Sequence, residues 1–289
     1  MSIAAKRNLA SAIFVALLLL SVFWPAPVVA INDFCCHAPL RVDALSFLGR
    51  EALSWDVVYW CLAGLFGIAL LQQARDFAAV REEFRAIPFR ATRSIALLAA
   101  VAGAAVALIW LWADAPVTAW AERISSSGVE DWIRIANRFG GGYNPVMIVV
   151  FFLLAGMAYA ERTWIANALR MAIAGAAAGI AVNIVKFIVG RARPELWLGT
   201  FHHVHGSASS FPSGHTVGAF ALAGVLILGA RSIWLRVSAG LLAVAVAVSR
   251  VLAFRHWTSD VVASAAIGMI AAAMLAGRRA TLPSQRSSR

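Results

Sequence analysis

The chain has 289 residues, of which 61% are hydrophobic and 13% charged, and its mean hydropathy is +0.78. A soluble domain needs a polar surface that this composition does not supply, so the chain reads as a polytopic membrane protein. The formal charge of +11 then reads as a basic inner face meeting anionic lipid, and no folded soluble module is left over to bind nucleic acid.

Apolar runs near or above the length that crosses a bilayer, about 17 to 25 residues, occur at 9–30, 54–73, 93–113, 143–160, 168–190, 212–230, 233–250 and 257–277, eight candidate spans. They are rich in Ala, Leu, Val and Gly and lack the alternation of barrel strands, so the expected fold is all-α. The spans divide into an N-terminal transmembrane hairpin over 1–75, a six-helix transmembrane domain over 76–280, and a short basic tail over 281–289.

In the hairpin, Lys6 and Arg7 precede an apolar run to Trp24 and an "APVVA" ending at Ala30. This resembles a secretory signal, but the run is long enough to stay as an anchor. Cys35 and Cys36 are adjacent, beside His37, and Cys61 lies within a span. Neighbouring cysteines rarely bridge each other and no CxxC spacing is present, so these read as incidental thiols. Further on, the segment Asp114 to Gly142, with "SSSGVEDWIRIANRFGGG", reads as an amphipathic outer-face helix and glycine turn, an interfacial connector.

Arginine placement sets the orientation. With the N-terminus inside, the inner segments hold fifteen of the 25 cations, and five of the remaining ten crowd into two helix-end clusters, Lys186–Arg191–Arg193 and Arg250–Arg255. The positive-inside rule therefore gives N-in and C-in. Four helix ends then meet on the outer side: those near 190 and 250, and those beginning at 212 and 257.

At the first end, "KFIVGRARP" places Lys186 and Arg193 seven apart, two turns on one helix face, with Pro194 as the stop. Snorkelling accounts for Lys186 but not for its neighbours. At the second, "FPSGHTVGAF" offers the N-H groups of a helix start at Ser213 and Gly214, followed by His215. At the third and fourth, "SRVLAFRHWTSD" carries Ser249, Arg250, His256 and Asp260. His256 and Asp260 are four apart, a spacing that lets the carboxylate fix one imidazole nitrogen and leave the other's lone pair free. Lys186, Arg193 and Arg250, a helix N-terminus and an oriented histidine describe a phosphate site. His215 is placed to give a proton to a leaving oxygen.

Lys186-x6-Arg193-Pro194, then Pro212-Ser213-Gly214-His215, then Ser249-Arg250-x5-His256-x3-Asp260 resembles the three-part signature of the type-2 phosphatidic acid phosphatase superfamily, in order and without a gap. The resemblance covers residues 93–277 and not the first two spans. It implies a metal-independent membrane phosphatase with no cofactor, in which His256 attacks phosphorus to give a phosphohistidine, Asp260 orients it and His215 protonates the leaving group. Lys186, Arg193, Arg250, Ser213 and the amide of Gly214 match the phosphate clamp. The implied setting is the outer face of a bacterial inner membrane, with a lipid phosphate as the partner molecule. Lipid A phosphates, undecaprenyl pyrophosphate, phosphatidylglycerol phosphate and phosphatidic acid all fit, the first two best suiting an extracytoplasmic site. Transfer of the phosphoryl group to a second lipid is the alternative chemistry. A non-enzymatic transporter or scaffold would be marked by a lost catalytic residue, and none is lost.

Two features depart from the commonest pattern. Arg255, directly before His256, is suited either to a second phosphate or to outer lipid headgroups. The loop 195–210 carries His202, His203 and His205, but Glu195 is its one carboxylate, which makes a poor metal set.

The charge argument makes a topological prediction. Single cysteines at positions 207, 232 and 287 in a cysteine-free background should divide so that an impermeant thiol reagent labels only 207 in intact spheroplasts. Labelling at 232 or 287 would place the phosphate site in the cytoplasm.

Overall fold

The computed structural model describes residues 77–124, 127–141, 144–204 and 209–276. The N-terminal hairpin with Cys35 and Cys36, the loop position His205 and the basic tail lie outside the described residues. Within the described residues the regular structure is helical. In chain order the helices are α1 (Phe77–Arg85), α2 (Arg93–Trp112), α3 (Asp114–Ile124), α4 (Ser127–Gly140), α5 (Asn144–Ala158), α6 (Arg162–Val189), a 3-10 turn (Pro194–Leu196), α7 (Gly214–Gly229), α8 (Ile233–Leu252) and α9 (Thr258–Met274).

Helices α2, α6 and α8 are long and apolar enough to cross a membrane, and α5, α7 and α9 are shorter apolar helices. These six correspond one to one with the six apolar runs expected between 93 and 277. The expected spans at 9–30 and 54–73 lie outside the described residues. Side chains such as Leu97, Val101, Leu108 and Leu111 on α2 are exposed. An apolar outside is what a bilayer solvent selects, since lipid tails carry no penalty against Leu or Val.

With no hydrophobic drive to squeeze helices together in lipid, close packing has to come from small residues. Helix α7 is the centre and packs against α6, α8 and α9. Its contact with α9 is nearly backbone to backbone: a Cβ placed on Gly268 would sit 2.7 Å from both Ala221 N and Val217 O, and one on Gly224 would sit 2.8 Å from Ala272 Cβ. Around this seam Phe151, Phe152, Met171, Val182, Leu222 and Val225 form one buried cluster that ties α5 and α6 to α7.

The helix boundaries revise three expectations. Helix α6 ends at Val189 on Gly190, whose φ of 54° is a left-handed cap, so the chain has left the helix before Arg193. The seven-residue spacing from Lys186 is therefore not two helical turns, and Pro194 begins a 3-10 turn instead of stopping α6. The connector 114–142 forms two helices, α3 and α4, of which α4 packs on α8. His256 lies ahead of α9, whose N-cap is Trp257; the four-residue spacing to Asp260 spans a helix entrance.

The α7–α9 seam predicts a stability effect. Gly268→Ala forces a methyl against the α7 backbone and should cost about 1–3 kcal/mol, read as a lowered thermal midpoint in detergent. Gly179→Ala, where a Cβ meets nothing within 4 Å, should leave that midpoint unchanged or raise it.

Candidate active site

The ends of α6 and α8 and the starts of α7 and α9 meet at one end of the bundle, and the loop between α6 and α7 is stitched across them. The loop is held by backbone pairing, with Ala192 N donating to His202 O at 2.8 Å, Val204 N to Gly190 O at 2.6 Å and Ser210 N to Arg191 O at 2.6 Å. Trp257 Nε1 donates to Ala192 O at 2.8 Å, and Trp110 Nε1 to Thr200 O at 3.1 Å. These bonds satisfy loop backbone that would otherwise be orphaned next to the apolar bundle.

Each site residue expected from the sequence has a defined place. Ser213 caps α7: its Oγ accepts from Thr216 N at 3.4 Å and Thr216 Oγ1 at 3.1 Å, and its own amide donates to Ser264 Oγ on α9 at 2.7 Å. The Ser213 amide is thus committed to the fold, and its hydroxyl proton is what it has to offer a ligand. Gly214 follows in the first turn of α7, exposed, with open space where a side chain would be. Helix N-termini leave such amides for an anion.

Lys186, in the last turn of α6, donates from Nζ to Ser209 O at 3.0 Å and keeps two further protons. Arg250, in the last turn of α8, donates to Asn137 Oδ1 at 2.9 Å. Ser249 Oγ donates to the same oxygen at 3.0 Å. Arg193 caps the 3-10 turn and donates to Glu195 Oε1 at 3.3 Å, while its Nε is buried with no hydrogen-bond partner among the described residues. The three cations act electrostatically on one another and on His215, and Arg250 and Lys186 act on His256 as well. Three like charges that all act on one histidine suit an anion between them.

His256 is buried, and its Nδ1 lies 3.6 Å from Asp260 Oδ2. This is slightly beyond hydrogen-bond length, and Nδ1 has no hydrogen-bond partner among the described residues. Side-chain hydrogen bonds of this kind commonly tighten from such distances when a ligand binds. Burial pushes the His256 imidazole down to about 4, against the pull of Asp260 and with Arg250 and Lys186 lowering it further. The ring is therefore neutral at pH 7, with a lone pair to give. Asp260 is held from several sides: its Oδ2 accepts from Trp257 N at 2.9 Å and from Ser210 Oγ, and its Oδ1 from Arg191 at 2.7 Å.

Sequence reasoning missed three members of this site. Arg191 is fully buried, and besides Asp260 it contacts Asp114 Oδ2 at 2.6 Å, Ser259 Oγ at 2.7 Å and Thr200 O at 2.9 Å. Its guanidinium also stacks over Trp110, 4.0 Å from the ring centroid. Asp114, assigned to an interfacial connector, is fully buried. Asn137, on α4, bridges Ser249 and Arg250. Beside it the Gly140–Gly141 turn lies against His215, so that a Cβ on Gly141 would fall 2.4 Å from His215 Nε2. The glycine-rich stretch was the one sequence signal for that close approach.

Arg255 donates to Glu195 Oε1 at 2.9 Å, the oxygen that also receives Arg193. The expectation that Arg255 serves a second phosphate or headgroups is thereby modified, since its nearest anion is the protein's own. In the histidine loop, a ring nitrogen of His203 meets Val189 O at 2.9 Å.

Comparison with known proteins finds a family that this part of the chain resembles. The family model of the PAP2 superfamily matches residues 167–281, the stretch that holds every expected site residue from Lys186 to Asp260. The lipid A 1-phosphatase of Porphyromonas gingivalis is 38% identical over 116 residues, a match covering 38% of this chain and 23% of that protein. A crystal structure of a transmembrane PAP2-type phosphatidylglycerolphosphate phosphatase from Bacillus subtilis superposes with a TM-score of 0.51 at 24% identity, covering 63% of this chain and 92% of that one. The structure of LpxE from Aquifex aeolicus gives a TM-score of 0.47 at 19% identity, over 55% of this chain and 92% of that one. With its three signature segments gathered at one end of an all-helical membrane fold, the chain is similar, through residues 167–281, to the PAP2 superfamily.

Proposed function

We propose that this protein is a metal-independent membrane phosphatase that removes a phosphate from a lipid headgroup through a phosphohistidine at His256. The observation that carries this is a buried His256 whose Nδ1 lies 3.6 Å from Asp260 Oδ2, in the field of Lys186 and Arg250. Lys186, Arg193 and Arg250 hold the phosphoryl oxygens, together with the Ser213 hydroxyl and the Gly214 amide. This supplies the charge that a metal would otherwise bring.

In the first step the Nε2 lone pair of His256 forms a bond to phosphorus as the ester P–O bond breaks, and the departing oxygen takes a proton from His215, which the negative charge of the bound phosphate holds protonated against the three cations beside it. Positive charge developing on the imidazole is met by Asp260 through Nδ1–H. In the second step water attacks phosphorus and gives a proton to His215, and the P–N bond breaks to release phosphate. The close Gly140–Gly141 turn holds the His215 ring in place for both transfers.

A site at helix ends suits a substrate whose phosphate sits at headgroup level while its chains stay in the bilayer. Among such lipids, lipid A phosphates come first, supported by the name of the P. gingivalis relative; undecaprenyl pyrophosphate, phosphatidylglycerol phosphate and phosphatidic acid follow. The arginine distribution supports a bacterial inner membrane location with the site facing the periplasm.

The test is phosphate release by purified protein from a panel of lipid phosphates with excess EDTA present. Wild-type protein should be active in chelator. His256→Ala should abolish turnover, and Asp260→Asn should lower it by a factor on the order of 10³–10⁴, as removal of a triad orienter does. Turnover near wild type in folded His256→Ala would remove the nucleophile, and loss in EDTA restored by a divalent ion would remove metal independence.

A further inference from the structure

We propose that Asp114 and Arg191 are positioning residues for the His256–Asp260 pair, Asp114 supplying the negative charge that keeps Asp260 available to His256 while Arg191 fixes its orientation. The inference rests on His256 being the nucleophile. Neither residue belongs to the three signature segments' specified positions, and Asp114 lies outside the residues matched by the family, 167–281.

The argument begins with charge. Arg191 and both carboxylates have side chains with 0% exposure. A guanidinium cannot lose its proton in such a place, so it must be paired where it stands. Were Asp260 its one partner, the pair would be neutral, and Asp260 would have little field left to hold the imidazole or stabilise it as it becomes cationic. Asp114 changes that balance, because two carboxylates on one guanidinium leave a net negative charge in a dry pocket. The side of that charge open to chemistry is Asp260 Oδ2, 3.6 Å from His256 Nδ1.

Geometry divides the work in the same way. Arg191 gives one terminal nitrogen to Asp260 Oδ1 at 2.7 Å and the other to Asp114 Oδ2 at 2.6 Å, so Asp260 is gripped by the oxygen facing away from His256. Ser259 locks the far side: its amide donates to Asp114 Oδ1 at 2.8 Å and its hydroxyl to Asp114 Oδ2 at 2.5 Å. Asp114 thereby fastens the start of α3 to the first turn of α9, the turn that carries Asp260. The guanidinium carbon sits 4.0 Å from the Trp110 ring centroid, a cation–π contact that favours this arrangement.

The experiment is steady-state kinetics with a lipid phosphate on Asp114→Asn and Arg191→Lys in detergent-purified full-length protein, with His256→Ala as reference. Asp114→Asn keeps the shape and removes the charge. Its kcat should fall on the order of 10- to 100-fold, the usual cost of losing an outer partner of a working side chain. KM should stay within about twofold, since the phosphate clamp is untouched. A purely structural role would instead reduce the fraction of folded protein and leave kcat per folded site unchanged. Should Asp114→Asn not fold, Ser259→Ala is read in its place; it loosens the same carboxylate and should lower kcat several-fold with KM unchanged. Wild-type kcat in whichever of these two is read overturns the inference, as does a rise in KM that accounts for the whole loss. If His256→Ala itself retains turnover, the nucleophile assignment has failed, a result distinct from an inactive His256→Ala beside a fully active Asp114→Asn.

Discussion

The site depends on one buried cation. Arg191 is wholly enclosed at the mouth of the helix bundle, and an unpaired charge there would cost several kcal/mol. The structure answers with Asp114 from the start of α3 and Asp260 from the first turn of α9. Around that pairing the rest of the site is arranged: the α6–α7 loop closes over Arg191 through its backbone, Thr200 and Ser259 complete its hydrogen bonds, and Trp110 and Trp257 cover its faces. Three segments far apart in sequence cannot separate without exposing or orphaning a charge. The Asp260 that faces His256 is one arm of this cluster, so the same electrostatic constraint holds the fold's open end together and sets the geometry of the proposed nucleophile.

Bilayer physics explains why the chemistry sits where it does. Polar backbone and charged side chains are tolerated at membrane depth only when satisfied by protein, and they become affordable at helix ends. The cations of this site accordingly occupy last turns or the loop just beyond them, and the amides proposed to bind phosphate belong to the first turn of α7. Below that layer the bundle is held by small residues: Gly268 and Ala272 of α9 lie against Val217, Ala221 and Gly224 of α7. The bond from the Ser213 amide to Ser264 Oγ, and from Ser264 Oγ to Asp260 O, continues the seam into the site. The start of α7 and the Asp260 turn of α9 are therefore in register because their helices are.

Much of this was legible from residue order. Six apolar runs gave six helices, and Lys186, Arg193, Ser213, Gly214, His215, Arg250, His256 and Asp260, singled out by type and spacing, come to one end of the bundle. What failed was local geometry. Counting seven residues as two helical turns placed Arg193 on α6, whereas Gly190 ends the helix in a left-handed turn that only the fold reveals. Treating Asp114 as interfacial followed from its place at the end of an apolar run, where a carboxylate is ordinarily solvated. Its burial is dictated by Arg191, 77 residues away, and no periodicity encodes such a partner. Asn137 was hidden in the same way, since an amide on an amphipathic helix looks like surface until α4 is laid on α8.

The most direct measurement is capture of the phosphoenzyme. Purified protein mixed with a lipid phosphate labelled on phosphorus and quenched in alkali within the first turnover should carry label that is stable to base, is released by acid and maps to the peptide containing His256. An N–P bond has that lability and a phosphoserine or aspartyl phosphate does not. Label on His256 alone is the predicted result. Robust phosphate release with no histidine-bound label in rapidly quenched samples, or label on another residue, would contradict the account.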